Sequence, residues 1–141
     1  MRSRRDYPAT VAEVLSPNVR YRRGCLSALR AYRRSRPWSG DREGKMLRLN
    51  MSLARVYSIP EPILVFQKSR TSLQSYCCVT GTGRCMLVLT GHSVVTYLHE
   101  FAHALGRNER GACRWSLNLF CRVFPREFAR CAQRGHCLVR E

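Results

Sequence analysis

The chain has no run approaching the about 18 consecutive apolar residues of a membrane span, and its start lacks the roughly 7-to-15-residue apolar stretch of an export signal. A cytoplasmic protein with no membrane contact is therefore expected. Lysine is nearly missing as well, since 23 of the 25 basic residues are arginine, and 9 acidic residues leave a net charge of +16. A chain this basic will hold polyanions non-specifically at low salt. Its eight cysteines, at 25, 77, 78, 85, 113, 121, 131 and 137, contain no CxxC pair, which excludes a zinc ribbon; without export they are expected to be reduced and mostly small core residues. There is no internal repeat, no Gly-rich phosphate loop and no Ser/His/Asp set.

What the chain does have is His99-Glu100-Phe101-Ala102-His103, an HExxH run. Residues four apart on a helix lie one turn above each other, so His99 and His103 can aim imidazole nitrogens at one ion. Glu100 beside them suits a general base, taking a proton from the attacking water and returning it to the leaving amine. The helix is predicted independently. Thr90 or Ser93 can cap it, Val94, Leu98, Phe101 and Leu105 form an apolar stripe that leaves both histidines to one side, and Gly106 stops it.

Two histidines do not hold a catalytic zinc, so a third protein ligand is expected, with the fourth position left for water. Glu109 is the first candidate, and Glu127 and His136 are its rivals. Glu109 can equally be a first-turn carboxylate favoured by the helix dipole behind Asn108 as N-cap. His92 reads as a residue at the helix start, and Cys131, His136 and Cys137 as a weak second metal set.

The run from His99 through Gly106 to Glu109 has the spacing at which metzincin peptidases return a third ligand to the metal, but no Met follows Met86 to make their Met-turn. The chain more closely resembles the gluzincin-like and SprT-like minimal zincins, including the ImmA/IrrE peptidases. In the last of these an E-x-E-A-x-x-F-A helix start follows HExxH; here Glu109-Arg-Gly-Ala-Cys-Arg-Trp-Ser puts Gly111 in place of the second Glu. Glu127, 24 residues beyond His103, keeps a separation gluzincins tolerate, and His136 would serve in the SprT manner. The resemblance implies an α+β minimal zincin-like domain with a small, mostly antiparallel sheet packed on the HExxH helix. It also implies one catalytic Zn2+, a protein or peptide substrate, and a regulatory or repair role inside the cell. A reading from another class is a non-catalytic nucleic-acid-binding or regulatory protein whose zinc is structural.

The chain divides by charge. Residues 1–45 carry 12 basic and 4 acidic residues, and residues 46–141 carry 13 and 5, so charge density is about twice as high in the first segment. Segment 1–45 is expected either to contact nucleic acid, with Tyr21, Tyr32 and Trp38 among its arginines, or to be a partly disordered leader or an over-extended reading frame whose true start is Met46 or Met51. It includes a predicted helix at 24–34 and a break at Pro37-Trp-Ser-Gly-Asp. The zincin-like domain is assigned to 46–141. Helices are predicted at 45–57, at 109–120 with Trp115 as core anchor, and from Phe124 to about Arg130. Strands are predicted at 63–67, 73–79 and 84–90, with Arg84–Leu89 or a neighbour as the edge for substrate. A four-residue loop from Thr80 to Gly83 would set Cys78 opposite Cys85.

Overall fold

The structure, a computed structural model, describes residues 10–35, 41–67, 75–134 and 137–140. The fold is α+β. Its elements in chain order are α1 (Val11–Val14), α2 (Cys25–Arg34), α3 (Arg42–Tyr57), β1 (Ile63–Phe66), β2 (Tyr76–Val79), β3 (Cys85–Leu89), α4 (Val94–Ala104), α5 (Glu109–Val123), α6 (Pro125–Arg130), β4 (Cys131–Arg134) and β5 (Cys137–Arg140).

The main sheet is mixed, not mostly antiparallel. Its order is β1-β3-β2, with β1 parallel and β2 antiparallel to β3. β3 therefore lies in the centre, and the expectation that Arg84–Leu89 forms an edge is corrected: the edges are β1 and β2. The central position suits Leu87, Val88 and Leu89, which are all buried and so match a strand covered on both faces. β4 and β5 make a separate antiparallel pair.

The turn between β2 and β3 is one residue tighter than expected. The Thr80 carbonyl accepts from Gly83 N–H at 2.9 Å, and Thr80 N–H donates to the Arg84 carbonyl at 2.8 Å. Gly83 takes the left-handed conformation (φ +81°) that closes such a three-residue loop. The register consequently sets Val79 against Cys85 and Cys78 against Met86. With a side-chain period of two, Cys78 and Cys85 point to opposite faces, and the proposed facing pair is not formed.

One core joins the elements. Cys25 and Leu29 of α2, Met46, Leu49 and Leu53 of α3, Leu87 and Leu89 of β3, Leu98 and Phe101 of α4, and Trp115, Leu119 and Phe120 of α5 form a single buried cluster. A smaller cluster sets Val11 and Val14 of α1 against Cys113 and Leu117 of α5. The described part of segment 1–45 thus shares its core with residues beyond 46, and the charge boundary at 45/46 falls inside α3. Polar contacts reinforce this. Tyr21 donates its hydroxyl to the Trp115 carbonyl at 2.7 Å, and the Asn118 side chain accepts from Ser16 N–H and donates to the Val14 carbonyl.

Arginines of this region and of α5 join the two. Arg33 donates to the Val123 carbonyl, Arg122 donates to the Val19 carbonyl while lying over the Tyr21 ring, and Arg22 lies over the Tyr57 ring. A guanidinium stacks on an aromatic face at little desolvation cost, so these charges tie segments together while remaining near water.

Candidate metal centre

α4 leaves the central strand after the four residues Thr90 to Ser93. Ser93 caps it, accepting from Thr96 N–H, while Thr90 N–H donates instead to the Ser75 hydroxyl at the end of β2. Tyr97, Leu98, Phe101 and Ala102 are buried, which turns the His99/His103 side toward α5. The helix ends in a Schellman motif: Gly106 N–H donates to the His103 carbonyl at 2.9 Å and Arg107 N–H to the Ala102 carbonyl at 3.1 Å. Gly106 has φ +92°, and a Cβ there would meet no atom within 4 Å, so its constraint is conformational and not one of space. α5 then starts at once. Asn108 is its N-cap, accepting from Gly111 N–H at 2.8 Å, and Glu109 occupies its first turn. A Cβ at Gly111 would approach the Asn108 cap oxygen to 3.1 Å.

This turn brings Glu109 back onto both histidines. Its Oε1 lies 2.9 Å from His99 Nε2 and its Oε2 lies 3.0 Å from His103 Nε2. The two imidazole rings are edge to face with centroids 4.8 Å apart. Glu100, only 5% exposed, brings its Oε1 to 3.9 Å from His99 Nε2. Glu127 is on the exposed side of α6 and is not brought to this group, and His136 lies outside the described residues. His92 is also elsewhere, stacked on Phe66 and 3.6 Å from Glu43.

The electrostatics follow from the contacts. Hydrogen bonds from His103 and then from His99 hold the Glu109 carboxyl far below the usual carboxylate range, against the opposing effect of burial. The same bond to Glu109 raises His103, helped by the Arg107 carbonyl and opposed by burial. The Arg107 carbonyl accepts from His103 Nδ1 at 2.8 Å, which fixes the proton there and leaves Nε2 as the nitrogen directed at the centre.

Two features were missed in the sequence. Cys113, placed only among small core residues, sits one turn beyond Glu109 on α5, with its sulfur 3.8 Å from His99 Nδ1. Ligand atoms of His99, Glu109 and Cys113 lie within 4.8 Å of one another, as do those of His99, Glu100 and His103. The i, i+4 spacing from Glu109 was the available signal. The second feature is Cys77 of β2, whose thiol is pushed up to about 12 by burial first and then by Cys85 and the Glu100 carboxylate. β2 packs against α4, the helix that carries Glu100.

The donor set fits a zinc ion by its own chemistry. Nitrogen and oxygen ligands about 2.0–2.1 Å from a tetrahedral ion stand about 3.3 Å from each other. The observed separations of 2.9 and 3.0 Å are hydrogen-bond lengths, a few tenths of an ångström short of that spacing. Compared with known proteins, the chain matches no family model, no curated protein and no solved structure.

Proposed function

We propose that the protein is a zinc-dependent peptidase in which His99, His103 and Glu109 hold one ion and Glu100 is the general base. The observation that carries this reading is the convergence of both Nε2 atoms on one carboxylate at 2.9 and 3.0 Å, with a second carboxylate buried beside them. A plain ion-pair cluster would account for Glu109 but gives no reason to bury Glu100 as well, since an enclosed carboxylate is costly.

Bound at these residues, zinc supplies the Lewis acidity that makes water nucleophilic near neutral pH and polarises a carbonyl. Glu100 then acts on the protons. It lies next to His99 on the helix and points about 100° away from it around the axis, so its carboxylate accepts the proton of the attacking water and passes it to the departing amine. His103 is kept in one tautomer by Arg107, and Glu109 balances charge at the centre. An extended peptide fits along β2. Among the described residues this strand pairs only with β3, and its Tyr76 and Val79 are exposed. Its open side offers main-chain hydrogen bonds on a strand that packs against α4. The substrate class is accordingly a cytoplasmic protein or peptide presented in extended form.

A second reading, a nucleic-acid-binding protein with structural zinc, is favoured by one observation. From Val14 to Gly40 the chain has seven arginines and no acidic residue. Structural zinc sites are closed by four protein ligands; here two Nε2 atoms converge on the Glu109 carboxylate and the Cys113 sulfur lies within 4.8 Å of His99 and Glu109, so the donor count alone does not choose between the readings. One experiment separates the readings: zinc content and cleavage of a protein substrate, measured together on wild type and Glu100→Gln. The peptidase reading expects about one zinc in both proteins and a loss of cleavage of roughly 100- to 10,000-fold in the variant. Zinc retained with equal cleavage in both would remove Glu100 from the mechanism.

A further inference from the structure

The two histidines are held from behind in different ways. His103 has the backbone carbonyl of Arg107 at 2.8 Å on its Nδ1. The same ring atom of His99 faces the Cys113 sulfur at 3.8 Å, within the longer range of hydrogen bonds to sulfur. Cys113 comes from α5, four residues after Glu109, so a single helix face carries both the carboxylate at His99 Nε2 and the sulfur at His99 Nδ1. Cys113 is buried in the cluster with Val11, Val14 and Leu117.

We propose that Cys113 is a positioning residue for the metal centre: its sulfur accepts the His99 Nδ1 proton and so fixes the tautomer that presents Nε2 to the ion. This rests on the zinc reading above. The chemistry requires such a partner. An imidazole that gives its Nε2 lone pair to a metal carries its proton on Nδ1, and that N–H needs an acceptor in a half-buried site. Sulfur is a weak acceptor, but it is the atom the fold places there. Its sulfur lies within 4.8 Å of a Glu109 carboxylate oxygen as well as 3.8 Å from His99 Nδ1, and the role proposed for it is at the Nδ1 side of the ring. A closed set of four ligands would leave no position for water, whereas an outer partner leaves that position open.

The test uses the full chain in three forms: wild type, Cys113→Ala and Cys113→Ser. Zinc dissociation constants are measured by competition with a chromophoric chelator. The loss of an outer-shell partner is expected to weaken zinc by about 10- to 100-fold in Cys113→Ala. Cys113→Ser keeps an acceptor and is expected to recover part of that loss. Leu117→Ala, which disturbs the same packing cluster without touching His99, is expected to lower stability and leave zinc affinity within about twofold of wild type, setting the size of a purely structural effect. A second readout needs no variant. In the zinc-loaded wild type, long-range nitrogen–proton NMR correlations should show His99 with its proton on Nδ1 and slow exchange of that proton.

Equal zinc affinity in Cys113→Ala and wild type would overturn the positioning role while leaving the zinc reading intact. So would a His99 that binds zinc through Nδ1, or a Leu117→Ala that weakens zinc as much as Cys113→Ala. Wild type that binds no zinc would overturn both, and the two failures are therefore told apart by the wild-type measurement alone.

Discussion

The α2–α3 pair and the α4–α5 pair pack on one core yet treat charge in opposite ways. In α2 and the chain just before it arginines lie outward, Arg22 over the Tyr57 ring and Arg33 over the Phe124 ring, both also bonded to carbonyls, while Cys25 and Leu29 are the fully buried residues of α2. In α4 and α5 the ionisable groups His99, Glu100, His103 and Glu109 face one another across the helix pair and are largely shielded from water. Surface charges with aromatic or carbonyl support serve cohesion and solubility at little cost. Shielded charges of both signs on neighbouring helices need each other or an ion, which is why the second pair carries the functional reading.

The comparison can be broken at its largest effect by testing whether α2 belongs to the core at all. Leu29→Ala removes a fully buried side chain from the shared cluster and is expected to cost about 2–5 kcal/mol in urea unfolding. A loss below about 0.5 kcal/mol would make α2 an appendage of the α4–α5 pair.

The next effect sharpens the other side. Four-ligand zinc sites bind with about 10–16 kcal/mol, so one ligand is worth on the order of 3 kcal/mol, or about 100-fold in affinity. Glu109→Ala is expected to show a loss of that order in chelator competition, and Glu127→Ala, on the exposed side of α6, none. Equal affinities in the two variants would place the third ligand elsewhere.

The smallest effect is in pH. His103 is raised from 6.5 in the folded protein, so in the metal-free form its contribution is fully present below about 6.5 and is lost as pH rises through its folded value. Glu109 is depressed from 4.5, so its contribution is present above about 4.5 and is lost as pH falls through its folded value. Metal-free protein should therefore gain most from this pair between about 4.5 and 6.5. Urea midpoints measured with chelator across that range should show the maximum in wild type and flatten in His103→Gln. Zinc must displace the His103 proton, so zinc affinity should fall as the medium becomes more acid.

Much of the α4–α5 pair was legible in the sequence because its signals are local. Ser93, Gly106 and Asn108 punctuate it, the apolar stripe gives its buried side, and the four-residue spacing sets both histidines on one side of the helix. What was not legible depended on distant partners. The parallel pairing of β1 with β3 spans more than twenty residues and leaves no trace in either strand. Cys113 became visible only once α5 lay beside α4. In the first segment the arginines hid the apolar positions: Val11 with Val14 and Cys25 with Leu29 have helical spacing, but each set is short and surrounded by charge. α1, β4 and β5, at four residues each, are too short for periodicity to reveal.

The partner at His103 Nδ1 is main chain, and the partner at His99 Nδ1 is a side chain. No single codon change can delete the Arg107 carbonyl; mutation reaches it only indirectly, through Gly106 and the turn. Position 113 can be rewritten directly, from sulfur to hydroxyl, amide or nothing. Inherited variation therefore has a direct handle on one histidine, while the other is buffered by the backbone, and divergence in metal preference or lability should enter this centre through His99.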